Sequence, residues 1–113
     1  MTTAPRRFAD EYVDTVNRGA YDELSALFAE DANFLGPNRQ EFSGRAAIGA
    51  FYDTFLPTIT PKIRIASYVE DGDDCVYELE SLDAETGTYR LAAIDHATLD
   101  SEGKVSRFTV WTK

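Results

Sequence analysis

The run from Tyr89 to Leu99 holds one residue that does not fit its surroundings. A period of two puts Tyr89, Leu91, Ala93, Asp95, Ala97 and Leu99 on one side of a strand, and that side is otherwise apolar. Asp95 should therefore point into the core. A carboxylate taken out of water without a partner is costly, so such a group keeps its proton and its pKa rises. Carboxyls perturbed in this way concentrate at functional sites. The plainer alternative is an Asp bonded to backbone, or one turned outward by a bulge.

Two tyrosines raise the same question. Tyr12 lies on the stripe Phe8, Tyr12, Val16, with Ala9 and Val13 beside it. Tyr52 lies on the stripe Ala47, Ile48, Phe51, Tyr52, Phe55. A buried phenol needs a partner for its hydroxyl, and taken singly each tyrosine reads as core filler with that need met. Taken with Asp95 they form a more specific set. Three O–H groups converging in one apolar cavity would donate to an oxyanion or enolate in the absence of water.

The elements that must position these groups follow from spacing. A first helix is expected over 5–17, capped by Thr3, with a proline in its first turn and Arg18-Gly19 ending it. A second helix is expected over 21–29, with Leu24, Leu27 and Phe28 inward, then an extended piece over 32–35. Gly36-Pro37-Asn38 reads as a turn, 40–43 as a short strand, and 45–55 as a third helix closed off by Pro57 and Pro61. Four strands complete the chain. Ile63, Ile65 and Val69 alternate in the first, and Cys75, Tyr77 and Leu79 in the second. Thr86-Gly87 turns into the Asp95 strand, and Ser101-Glu102-Gly103 turns into the last, over 105–111. In that last strand Phe108 and Val110 face one way and Trp111 the other. Helices first and a meander afterwards predict an α+β domain, with helices on one face of a mostly antiparallel sheet.

Composition narrows the functions on offer. The 113 residues suit a single domain over 1–113, and 43% hydrophobic residues suffice for a core. With 20 acidic against 11 basic side chains the net charge is −9, which repels phosphate backbones and anionic lipid. No nucleic-acid or membrane partner is expected. One cysteine, Cys75, excludes an intrachain disulfide, and no apolar signal segment or membrane-length run is present, so a cytoplasmic location is expected. Cys75 reads as a small buried hydrophobe. His96, the single histidine, alternates away from Asp95 and has no carboxylates at ligand spacing, so no metal is expected. The acidic run 70–74 lacks the loop length and later Glu of an EF-hand and reads as a solvated turn.

These segments together carry a family resemblance. Tyr12-Val13 through Asn17-Arg18-Gly19, Leu27-Phe28-Ala29-Glu30-Asp31-Ala32, Ser43-Gly44-Arg45-Ala46-Ala47-Ile48 with Phe51-Tyr52, and Ile94-Asp95-His96 with Gly103-Lys104-Val105 span nearly the whole chain. The chain resembles the ketosteroid isomerases of the nuclear transport factor 2-like and SnoaL-like superfamily. The resemblance implies a cone-shaped fold, with three N-terminal helices against a strongly curved sheet and a deep apolar pocket between them. It also implies a homodimer through the outer sheet face, and no cofactor. In residue terms, Tyr12 matches the oxyanion-hole tyrosine, Asp95 the protonated oxyanion-hole acid, and Tyr52 the tyrosine bonded to the first. Ketosteroid isomerase is itself the standard example of a carboxylic acid kept neutral by an apolar site. Phe28, Phe51, Phe55, Leu91, Gly36 and Asn38 are the expected substrate-binding positions.

One departure cuts against the matches. The family's general base is an Asp just before a proline, and here Gly36 precedes Pro37. Asn38, Gln40 or Glu41 would have to shift inward to replace it, and of these Glu41 alone is a strong enough base. The expected function is thus a ketosteroid isomerase-like stabilisation of an enol or enolate of a steroid or polyketide, with the base missing. The alternatives are a non-catalytic small-molecule-binding module of the same fold, or a polyketide cyclase or epoxide hydrolase relative. For the hydrolase, Asp95 supplies an acid, but no Asp–Arg–Asp set is evident.

Overall fold

The computed structural model describes residues 2–113. The first helix, α1 (Ala4–Asn17), begins where the Thr3 hydroxyl accepts the Arg6 N–H at 3.3 Å. Phe8, Ala9, Tyr12 and Val16 form its buried stripe, and it stops at Gly19, whose φ of 75° few other residues would accept. The second helix is a 3-10 helix over Tyr21–Leu27 and is shorter than expected. Phe28 leaves it to begin β1 (Phe28–Leu35). The reason is tertiary: Phe28 pairs with Val105 and sinks among Phe8, Phe34, Tyr52 and Phe108. A turn at Pro37–Arg39 leads to β2 (Glu41–Ser43) and then α2 (Arg45–Ile59). Pro57 does not close α2, which runs on to Ile59. That last turn buries Leu56 and brings Ile59 against the cavity described below, and this packing holds the helix past its proline.

The remaining chain is a meander, β3 (Ile63–Asp71), β4 (Asp74–Leu82), β5 (Tyr89–Leu99) and β6 (Val105–Thr112). All six strands form one sheet in the order β2-β1-β6-β5-β4-β3. Among the described residues only the β1–β6 pairing is parallel. The helices cover one face, as an α+β fold requires, and the sheet curls around them.

Bulges do the curling, and they correct two expectations. An extra residue at Ala66 shifts the β3–β4 register between Ile65 and Ser67. Beyond it the alternation inverts, so Tyr68 turns toward the core and Val69 is 66% exposed. A second shift, at Ala92, separates Leu79↔Ala93 from Glu80↔Leu91. Leu91 therefore faces outward beside Glu80 rather than sharing the side of Asp95, and it is 37% exposed. Past the bulge the period of two holds, and Ala93, Asp95, Ala97 and Leu99 all point in.

Phe108 is the hub of the core. Its ring centroid lies 5.8 Å from Phe8, 5.6 Å from Tyr12, 5.5 Å from Phe28 and 5.5 Å from Phe34, and no part of it is exposed. It thus ties α1 to β1 and β6. Phe108→Ala should lower unfolding free energy by roughly 3–5 kcal/mol, the usual cost of emptying a large aromatic site. Urea unfolding checks this, and a loss under about 1 kcal/mol would show that the site collapses or was never tightly filled.

Candidate functional site

A cavity of about 310 Å³ opens between α1, α2 and the concave sheet face. Its walls are apolar: Phe34 from β1, Phe51 and Leu56 from α2, Leu79 from β4, Ala93 from β5 and Val110 from β6. Phe55 stands at the mouth, 42% exposed and stacked on Phe51 with 5.5 Å between centroids. Among the described residues no helix is long and apolar enough to cross a membrane, and no group of acidic, His and Cys side chains is placed to hold a metal.

Three ionisable side chains stand on this wall, and Ser81 and Thr112 also line it. Tyr12 from α1 and Tyr52 from α2 meet there, with 3.0 Å between their buried hydroxyl oxygens. Asp95 from β5 lines the same cavity and is 1% exposed. Among the described residues neither of its carboxyl oxygens has a hydrogen-bond partner. Burial pushes its pKa up to about 8, opposed in part by the nearby Tyr77 hydroxyl. Burial also carries both cavity phenols well above the ordinary tyrosine range. For Tyr12 the next cause is the charge Asp95 would bear, and for Tyr52 it is Tyr12. At neutral pH all three groups therefore hold protons. Asp95 is the sole carboxyl on the lining, and no cationic side chain lies there among the described residues. The arrangement can donate hydrogen bonds to an oxygen brought into the cavity. It cannot neutralise a fixed anion with a charge.

The structure thus brings Tyr12, Tyr52 and Asp95 to one cavity and adds Phe51 and Phe55 to its lining. It does not bring the other expected binding positions there. Phe28 is fully buried behind the wall, packed on Phe34 and Tyr52. Leu91 is on the outer side because of the Ala92 bulge, and Ala92 itself reaches the lining. Gly36 and Asn38 lie in the turn beside the cavity, where Pro37 alone of the three contributes to the lining. Glu41 is exposed in β2, pairs with Leu35 and does not line the cavity, and neither does Gln40.

Gly36 has its own physical reason. Its φ of −94° suits any residue, so backbone strain does not demand glycine. Space does: a Cβ there would lie 2.7 Å from Cε1 of Phe34, a buried ring. The aromatic ring fills the place a larger side chain would need.

Sequence reasoning missed Tyr77. It lies opposite Asp95 in the β4–β5 register, fully buried, and its hydroxyl too has no partner among the described residues. The inward alternation of Cys75, Tyr77 and Leu79 was the available signal, but the register that sets Tyr77 against Asp95 is not written in either strand alone. His96 points to the outer face and meets Asp74 at 3.1 Å. Cys75 is buried near the Pro5 carbonyl, and burial raises its thiol to about 11, which makes it unreactive. In the acidic turn Glu70 accepts from the Thr3 and Tyr68 hydroxyls.

Comparison with known proteins agrees with this architecture. The family model of the SnoaL-like domain matches residues 9–108. A de novo designed protein with a curved β-sheet superposes with a TM-score of 0.81 at 16% identity, covering 100% of this chain and 88% of its own. SalBIII, an epoxide hydrolase/cyclase-like enzyme with a role in pyran ring formation in the polyether salinomycin, superposes at 0.77 and 24% identity, over 96% and 90%. A candidate isomerase of the SnoaL-like family from Agrobacterium tumefaciens does so at 0.78 and 14% identity, over 99% of both chains. No curated protein matches the chain by sequence. At these identities the structural neighbours speak for the fold alone, and the designed protein is a reminder that the fold does not dictate an activity. The match over residues 9–108 does place the chain: it belongs to the SnoaL-like domain family, within the nuclear transport factor 2-like superfamily.

Proposed function

We propose that the cavity takes up a hydrophobic carbonyl compound, a steroid or polyketide ring system, and stabilises its enol or enolate through Tyr12 and protonated Asp95. The observation that carries this reading is Asp95: a buried carboxyl at a mostly apolar cavity, with neither oxygen partnered among the described residues. Buried polar groups are almost always paired, and an exception calls for an explanation. A ligand oxygen would supply the missing partner. Tyr12 would donate to the same oxygen, and the Tyr52 contact would strengthen that donor by polarising it. Dry, preorganised donors of this kind are worth more than the same groups in water.

Gly36 favours a second reading, a module that binds such a ligand and does not turn it over. Among the described residues no carboxyl but Asp95 lines the cavity, which leaves proton abstraction from carbon without an evident agent. A cyclase-like reaction, which SalBIII brings to mind, would keep Asp95 as its acid and draw its nucleophile from the substrate. The reading also includes a homodimer through the outer sheet face, where Trp111, 53% exposed, and Val69 leave apolar surface open.

Three outcomes follow. A phenolic steroid, whose oxygen mimics the enolate, should bind, and Tyr12→Phe should weaken it roughly ten- to a hundredfold, the range for a hydrogen bond to a charged or partly charged group. Calorimetry reads both, and equal affinity in the variant would remove Tyr12 from the site. Turnover of a β,γ-unsaturated ketosteroid should be slow in the natural chain. Because Phe34 blocks a side chain at position 36, the base is restored by the pair Phe34→Leu with Gly36→Asp, which should raise turnover by roughly 10²–10⁴-fold. Binding without turnover in both proteins would favour the binding module.

The third outcome concerns pH. The folded-state pKa of Asp95, about 8, exceeds its ordinary 3.8, so the folded chain holds a proton that the unfolded chain releases. Its contribution is intact below about pH 4 and is lost as pH rises to about 8, at up to about 1.4 kcal/mol per pH unit. Asn in its place cannot titrate. Urea unfolding at pH 5 and pH 8 should therefore show the stability of the natural chain falling against that of Asp95→Asn by more than about 2 kcal/mol. A constant difference would mean that Asp95 ionises as it does in water.

A further inference from the structure

Tyr77 is a buried hydroxyl that the proposed chemistry leaves unused. It comes from β4, has no exposed surface, and sits opposite Asp95 in the antiparallel register. It does not line the cavity, whereas Asp95 does, so a Tyr77 contact would reach Asp95 from the sheet rather than across the open space. Its ring stacks on Tyr68 at 6.4 Å with 20° between planes, and the Tyr68 hydroxyl is itself held by Glu70 at 2.8 Å. The phenol is thus fixed in place behind the acid.

Among the described residues three polar atoms here lack partners: the Tyr77 hydroxyl oxygen and both oxygens of Asp95. Dry cores rarely tolerate even one such atom. We propose that Tyr77 is a positioning residue for Asp95, its hydroxyl donating to one carboxyl oxygen from the wall side and leaving the protonated oxygen turned toward the cavity. This rests on the reading of Asp95 as the donor to a ligand oxygen. The direction of the bond decides the role of the acid. With Tyr77 as donor, the carboxyl C=O is occupied and its O–H is both aimed and strengthened as a donor. With Tyr77 as acceptor, the O–H would be consumed at the wall and Asp95 would present only an acceptor to the cavity.

The two directions have opposite electrostatic signatures. A donor to the carboxyl favours its charged form and lowers its pKa, while an acceptor favours the neutral form and raises it. The other titratable groups around the acid are Tyr12 from α1, Tyr52 from α2, and Cys75, two residues before Tyr77 on β4. The β6 partner, Val110, is apolar. None of them changes when Tyr77 does.

The test is a titration of the ligand-free protein by NMR of ¹³C-labelled aspartate carboxyls, with Asp95→Asn identifying the signal. Tyr77→Phe keeps the ring and removes the donor, and should move the Asp95 midpoint up by about one pH unit. Replacing Tyr77 with 3-fluorotyrosine, a more acidic phenol that keeps the hydroxyl, should move it down. A role in packing alone would give neither shift, still less shifts of opposite sign. An unchanged or lowered midpoint in Tyr77→Phe overturns the assignment. If that variant fails to fold, 4-fluorophenylalanine at position 77, close to tyrosine in shape but without the hydroxyl, takes its place, and an unchanged or lowered midpoint there overturns the assignment equally. Failure to bind a phenolic steroid bears on the proposed function alone, because no ligand enters this measurement.

Discussion

A carboxyl can sit dry and unpaired in a core only if it stays neutral, and it stays neutral only while water is kept from it. That constraint governs the structure around Asp95. A buried polar group without a partner costs on the order of 1–3 kcal/mol, and an unpaired charge costs far more. A domain of ordinary stability, roughly 5–15 kcal/mol, can carry one such group and not several. Here three atoms without a partner among the described residues lie on neighbouring strands, two on Asp95 and one on Tyr77. Under the proposed contact the Tyr77 hydroxyl and Asp95 would satisfy each other in part, and a ligand would satisfy what is left.

The rest of the fold buries and shapes this place. Phe8, Phe28, Phe34 and Phe108 interlock with centroid separations of 5.5–6.4 Å, closing the cavity from behind. The bulges at Ala66 and Ala92 bend the sheet so that β3 to β6 wrap around α1 and α2. Each polar group then arrives from a different element: Tyr12 from α1, Tyr52 from α2, Tyr77 from β4 and Asp95 from β5. No two of them share a local segment, so only tertiary packing can bring them together. A change in any wall alters the site.

This distribution explains what could be read in advance. Tyr12 and Tyr52 were legible because helical periodicity marks an inward face without reference to any other element. Asp95 was legible because it lies past the Ala92 bulge, where a period of two holds. Leu91 and Val69 misled for the converse reason. A bulge is one extra residue with no signature in an otherwise regular strand, and it inverts every position beyond it. Phe28 was assigned to a helix because its local pattern permits one, and its parallel pairing with Val105, far along the chain, prevailed. Tyr77 could not be matched with Asp95 because register is a property of two strands. The match of Phe34 to Gly36 was hidden differently: a missing side chain shows in a sequence, but the ring that fills its place does not.

That last pair bears on what the chain can be. If Gly36 merely lacked a base, one substitution would restore it, and the gap would record little more than recent loss. With Cε1 of Phe34 only 2.7 Å from where a Cβ would stand, the absence is built into the wall. The packing around position 36 and the lack of a base are one feature. A cavity of this kind, under the proposed reading, would polarise an oxygen strongly and leave the adjacent carbon proton alone. Such a site suits ligands whose reaction needs an acid, or whose nucleophile lies within the same molecule, or which are only held. Under that reading, a base at position 36 would need the space that the Phe34 ring fills.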